Sequence, residues 1–171
     1  MDFRVTADMS GDAPGAWLDW GEGPRRAAIG PGGIAHKTGE GDGITPRGAW
    51  PVRRVFYRAD RIARPRTALP LRALAPDDGW CDAPDDPGYN RLVKLPYPAS
   101  AERMWRDDHL YDLILVLGYN DDPVVPGKGS AIFLHLARPD YTATQGCVAL
   151  KYEDALAVLE RIAPGDRVVI G

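Results

Sequence analysis

The stretch Leu110–Tyr119, LYDLILVLGY, most constrains what this chain can become. It is the most apolar run in the sequence. At ten residues it is about half of the roughly 20 that a membrane-spanning helix needs. Two of its positions are β-branched, and Asn120-Asp121-Asp122-Pro123 ends it abruptly. A short apolar run bounded by turn residues reads as a central strand covered on both faces. A second strand follows after the turn-rich segment 123–130. There Ile132, Leu134 and Leu136 alternate with Ala131, Phe133 and His135. The simplest arrangement makes these two strands neighbours in one sheet.

The chain supports that reading elsewhere. Nineteen glycines and 16 prolines in 171 residues are about twice the usual share. No triplet period or low-complexity run accompanies them, so they mark turns, and many turns imply a β-rich domain. Phe3–Val5, Ala16–Trp20, Arg26–Ile29, Trp50–Tyr57 and Val168–Ile170 read as further strands. Pro51 would put the fourth of these at a sheet edge or make it a strand start. Two helices are predicted. Ser100–His109 opens with Ser100 as a cap. Tyr152–Ile162 carries Tyr152, Ala155, Leu156, Leu159 and Ile162 on one face and should pack on the outside of the sheet. No linker or internal repeat divides residues 1–171, and the length suits one domain with a substantial core.

Charged residues make up 26% of the chain and the formal net charge is −3, so nothing points to nucleic acid. The N-terminal segment shows no apolar run of signal-peptide length, and no segment is long enough to span a membrane. Thr38–Gly43 has the glycines of a phosphate loop but lacks its Gly-Lys-Ser/Thr ending, and it reads as a loop. Arg58, Arg61, Arg64 and Arg66 lie in a proline-broken excursion, either a solvated loop or a patch for carboxylates. Cys81 and Cys147 are the only cysteines. A disulfide scaffold is not expected. A metal set of Cys81, Cys147, Asp82 and His109 lacks the close ligand spacing of zinc sites.

Cys147 is the more telling of the two. It ends Thr144-Gln145-Gly146-Cys147, which reads as a tight loop whose glycine lets the backbone come close to a substrate. Eleven residues separate it from His135, whose side chain shares a strand face with Phe133. A strand and the loop returning beside it would bring thiol and imidazole together, and a cysteine nucleophile needs such a base. The competing reading is a buried cysteine and a strand histidine satisfied by the backbone. Backbone N–H groups at Gln145, Gly146 and Cys147 would form an oxyanion hole.

This stretch resembles the catalytic motif of the L,D-transpeptidases, the YkuD-like catalytic domain. His135, Thr144, Gly146, Cys147 and Val148 fall on the family's pattern. Leu136, Gln145 and Ala149 depart from it, standing where a Gly, a second His and an Arg are usual. Upstream, Gly43-Ile44-Thr45-Pro46-Arg47-Gly48 looks like the family's Thr-Pro-x-Gly segment. The resemblance implies one mainly β domain over residues 1–171, a β-sandwich or sheet with a few short helices. It implies a cysteine acyltransferase of bacterial cell-wall biogenesis, with Cys147 as nucleophile and His135 as base, acting on peptidoglycan stem peptides without metal or organic cofactor. Location in the periplasm or cell envelope follows from the family, although no export signal is visible. A monomer is expected. Thr144 and Thr45, with Asn90 and Arg91, are expected to wall the substrate groove, and Cys147 to be accessible and close to His135. Two other outcomes stay open: a cysteine hydrolase on the same scaffold, an L,D-carboxypeptidase or amidase, and a non-catalytic module that binds wall peptides.

Overall fold

Alternation of apolar residues along short strands builds the molecule. The computed structural model describes residues 1–171. In chain order its strands are β1 (Asp2–Asp8), β2 (Gly15–Asp19), β3 (Arg25–Ala28), β4 (Ile34–Ala35), β5 (Thr45–Pro46), β6 (Gly48–Tyr57) and β7 (Leu71–Ala73). Next come β8 (Asp78–Cys81), β9 (Leu92–Lys94), β10 (Ala101–Arg103), β11 (Leu113–Leu117), β12 (Phe133–Leu136) and β13 (Val148–Leu150). Helix α1 (Tyr152–Arg161) and strand β14 (Arg167–Ile170) end the order.

Nine strands form one sheet in the order β11-β12-β13-β3-β2-β1-β14-β6-β7. Strand β11 also pairs with β6, so the sheet closes on itself like a barrel. The fold is mainly β, with a single helix. Every strand of the ring sends alternate residues to one enclosed core: Phe3 and Val5, Leu113 and Leu115, Leu134 and Leu136, Val148 and Leu150, Val168 and Ile170. Closure pairs the eight strands from β11 round to β6 into a ring, and β7, paired with β6 alone, is left as the sheet's outer strand. Helix α1 adds Ala155, Val158 and Leu159 to this same core, and Ile162 follows. The helix therefore fills the enclosed side instead of decorating the outside. Leu115 is 1% exposed within this core. Leu115→Ala should cost about 2–5 kcal/mol, read as a lower urea midpoint with an unchanged slope.

Two local expectations change. Ala101–Arg103 is not helical; it is strand β10, paired antiparallel with β8. The capping signal at Ser100 is local, whereas β8 lies about 20 residues away and supplies the backbone hydrogen bonds that decide the matter. Pro51 sits inside β6, not at an edge. Residues Gly48–Pro51 pair with β14, and Val52–Tyr57 pair with β11. Proline stands where the strand changes partner, and its carbonyl still accepts from Gly118 N at 2.7 Å.

The outer face of β11 and β12 carries a second core. Ile114, Val116 and Phe133 meet Phe56, Trp80, Met104, Tyr111 and Cys147 there. Much of the covering comes from the excursion 74–111, including the small sheet β10-β8-β9. Cys81 is fully buried within that excursion. The arginine-rich segment is partly internal. Arg58 is buried, stacks 3.6 Å from the Trp105 ring centroid and forks onto Asp60. Arg61 donates to Asp112 and to the Asp108 carbonyl. These two guanidiniums are committed to the fold and are not free for a ligand carboxylate.

Candidate active site

The site lies where β12 and β13 run side by side. They are parallel, with Leu134 opposite Val148 and His135 opposite Ala149. Parallel neighbours need a crossover, and residues 137–147 supply it. Cys147, just before β13, therefore lies level with Phe133, and the Phe133 N–H points at its sulfur at 3.4 Å. Side chains two apart share a strand face. His135 thus emerges on the same side as Phe133, beside the sulfur's level.

Cys147 and His135 line one cavity of about 720 Å³. The ring of His135 is fixed by its Nδ1, which donates to the Leu136 carbonyl at 2.9 Å. A carbonyl only accepts, so Nδ1 carries the proton and Nε2 keeps the basic lone pair. Tyr111 packs edge-on against the imidazole, ring centroids 5.3 Å apart. Burial lowers the His135 pKa to about 4. The unfolded chain takes up this proton near pH 6.5, the folded chain only near pH 4. Acid therefore favours unfolding across that window, and stability rises with pH through it, by on the order of 3 kcal/mol in all.

Cys147 is 7% exposed, more closed than an accessible nucleophile should be. Its thiol donates to the Ala131 carbonyl at 3.1 Å and not to the imidazole. Burial pushes its pKa up to about 12, against a lowering contribution from the Phe133 N–H. Cys81 is also shifted upward, first by burial and then through Asp86 and Asp82. Both thiols and the imidazole are neutral at pH 7. The thiolate fraction rises about tenfold per pH unit below the thiol pKa. Alkylation of Cys147 should thus climb steadily between pH 7 and 10, with no plateau near neutrality. Cys147 should also react before Cys81, because only Cys147 opens on the cavity. Iodoacetamide labelling followed by peptide mass spectrometry measures both; a flat profile from pH 6 to 9 would show an ion pair instead.

The turn before Cys147 is braced from within. Thr144 Oγ1 donates to the Cys147 carbonyl at 2.7 Å and accepts from Gly146 N at 3.1 Å. The Gly146 N–H is thereby used, which leaves the N–H groups of Gln145 and Cys147 for a ligand. Gln145 is exposed on the cavity wall, and Thr144 lines the cavity too. Gly146 has φ 128°, and a Cβ there would stand 2.8 Å from the Ile44 carbonyl oxygen. Its glycine permits close approach of the chain's own backbone.

The Thr-Pro segment explains that approach. Thr45 is fully buried, and its Oγ1 accepts from Gly30 N at 2.9 Å. A Cβ on Gly30 would lie 2.0 Å from the Gly43 oxygen and 3.0 Å from the Gly146 Cα. Gly30, Gly43 and Gly146 thus stack backbone on backbone behind the nucleophile turn. Thr45 supports the site from the rear and does not line the cavity. Asn90 is buried and Arg91 exposed, and neither lines the cavity. Cys81, Cys147, Asp82 and His109 do not form a metal-ligand cluster.

A family model, that of the L,D-transpeptidase catalytic domain (YkuD), matches residues 17–170. The chain belongs to this family. The match spans nearly all of the closed sheet and the whole His135–Cys147 crossover. No curated protein and no solved structure matches the chain. For an L,D-transpeptidase domain the cavity has a wall that the sequence did not disclose. Glu40, Asp82 and Glu102 line it, and so do Arg106 and Arg138. Glu102 accepts from Tyr111 OH at 2.5 Å, and burial raises its pKa. Arg106 forks onto Asp108 at 2.8 and 2.7 Å. Glu102 lies on β10 with Arg106 just after it, while Glu40, Asp82 and Arg138 come from distant parts of the chain.

Proposed function

We propose that this domain is an L,D-transpeptidase acting on peptidoglycan stem peptides through a Cys147 acyl-enzyme, with His135 as base. The observation that carries the reading is the shared cavity. In a chain of this family, a cysteine and a histidine with a free Nε2 open onto it from adjacent parallel strands.

The chemistry follows from neutral partners. On ligand binding the Sγ–H bond breaks and the proton passes to His135 Nε2. The thiolate forms a C–S bond to the carbonyl carbon between an L-centre and a terminal D-amino acid. The Gln145 and Cys147 N–H groups hold the resulting oxyanion. Collapse breaks the C–N bond, and the imidazolium gives its proton to the leaving amine. An acceptor amine then attacks the thioester, His135 takes its proton, and the thiol is restored. Creating the ion pair costs energy in the resting state, since burial opposes both charges. A bound peptide's polar groups offset that cost.

The charged lining fits a peptide with ionised groups. Arg138 offers a guanidinium partner for a carboxylate in the cavity where Ala149 offers none, while Arg106 is already forked onto Asp108. Work in the cell envelope accords with such a substrate. Incubation with a tetrapeptide stem and a free D-amino acid, read by mass spectrometry, tests the proposal. The expected products are an exchanged terminal residue and an acyl adduct on Cys147. Release of the terminal residue without exchange would make the domain a hydrolase, and no adduct and no product would overturn the enzymatic reading.

A further inference from the structure

We propose that Asn90 is a positioning residue for the nucleophile: it holds Ala131 in a left-handed conformation, so that the Ala131 carbonyl keeps the resting thiol of Cys147 in place. The inference rests on Cys147 being the reactive thiol of the proposed function. It adds a part that neither the family pattern nor the cavity lining contains.

The geometry is a chain of three contacts. Asn90 is 5% exposed and sits at φ 55°. Its Oδ1 accepts from Ala131 N at 3.0 Å and from Trp80 Nε1 at 2.9 Å. Its Nδ2 donates to the Tyr119 and Asn120 carbonyls at 3.0 and 2.8 Å. All four amide hydrogen-bonding positions are in use, so the side chain has one orientation. Ala131 has φ 54°, a conformation an alanine avoids unless the surroundings impose it. The surroundings here include the Asn90 bond on its N–H. With the peptide set this way, the Ala131 carbonyl meets Cys147 Sγ at 3.1 Å.

A hydrogen bond from the thiol favours its protonated form. The contact therefore acts as a latch. While it holds, the proton stays on sulfur and the thiol stays directed away from the imidazole. Activation exchanges the acceptor: the thiol leaves the Ala131 carbonyl, its S–H bond breaks, and an N–H bond forms at His135 Nε2. The latch also defends the nucleophile against adventitious alkylation and oxidation between turnovers.

Two measurements test this. The first needs no change near the site. The Raman S–H band of Cys147, isolated in a Cys81→Ser background, should lie at the lowered frequency of a hydrogen-bonded thiol. A band at the free-thiol position overturns the latch. The second uses Asn90→Gly, which accepts the left-handed backbone and removes only the side chain. In the folded variant, Cys147 should alkylate about tenfold faster at pH 7, a lowering of the thiol pKa by about one unit. Trp80→Phe removes a different partner of Asn90 and should leave the profile unchanged. A native-melting Asn90→Gly with the wild-type profile, or an equal shift in Trp80→Phe, overturns the proposal. Should Asn90→Gly fail to fold, the Raman band decides. A protein with these alkylation shifts but no acyl adduct on stem peptides would sink the enzymatic reading and leave the positioning role standing.

Discussion

Cys147→Ala is expected to abolish acyl transfer, and His135→Ala to lower it by about 10²–10⁴-fold. The two effects differ in kind. Without sulfur there is no atom to carry the acyl group. Without the imidazole there is still a thiol, but its proton has no acceptor at the right place, and burial holds it on sulfur. The loss in His135→Ala should therefore shrink as pH rises, because hydroxide then does part of the base's work. Cys147→Ala should cost about 1 kcal/mol of stability, since the sulfur packs in the second core and the Phe133 N–H loses its partner. Rates come from mass-spectrometric product analysis, and stability from urea melts. Residual turnover in Cys147→Ala would place the nucleophile elsewhere.

Gly30→Ala is expected to have the largest effect on folding. A Cβ at that position would stand 2.0 Å from the Gly43 oxygen and 2.9 Å from the Gly43 carbonyl carbon. Both are backbone atoms, so no side chain can swing aside. Relief requires the segment 43–46 to move off the nucleophile turn, which breaks the Gly30–Thr45 bond and displaces Gly146. A loss of more than about 4 kcal/mol follows, seen as insoluble protein or a collapsed melting temperature. Gly146→Ala should share the direction, because its φ of 128° is one that L side chains rarely adopt. A Gly30→Ala protein melting within a few degrees of wild type would mean that this backbone contact is looser than described.

Those glycines show where the sequence could and could not be read. Strands β11 and β12 were legible because their apolar alternation is local and their burial on both faces leaves no polar ambiguity. His135 and Cys147 were expected together from one strand face and one crossover; both line one cavity, but the thiol donates to the Ala131 carbonyl instead of the imidazole. Thr45 was expected to wall the substrate groove and instead stands behind it, a role that needs the fold, since Gly30 and Gly146 come to that segment from distant positions. Asn90 drew notice as a polar residue between turns, but its four partners lie up to 41 residues away. The charged wall of Glu40, Asp82, Glu102, Arg106 and Arg138 had no signal at all. Glu102 and Arg106 were hidden inside a segment read as helix, and Glu40, Asp82 and Arg138 reach the wall from distant parts of the chain.

The placing of the end strands has a consequence for how the chain is made. Strand β1 pairs in parallel with β14 on one side and antiparallel with β2 on the other. Strand β14 also joins β1 to β6 and so completes the ring. During synthesis, β1 leaves the ribosome first and β14 last. Until β14 is free, β1 and β6 each present an unsatisfied edge, and the enclosed core stands open to water. Folding of the ring must therefore wait for nearly the whole domain to emerge, and partial chains carry sticky edges throughout that interval. A chaperone that shields nascent β-edges should matter more to the yield of this protein than to that of a domain whose first and last elements are strangers in space.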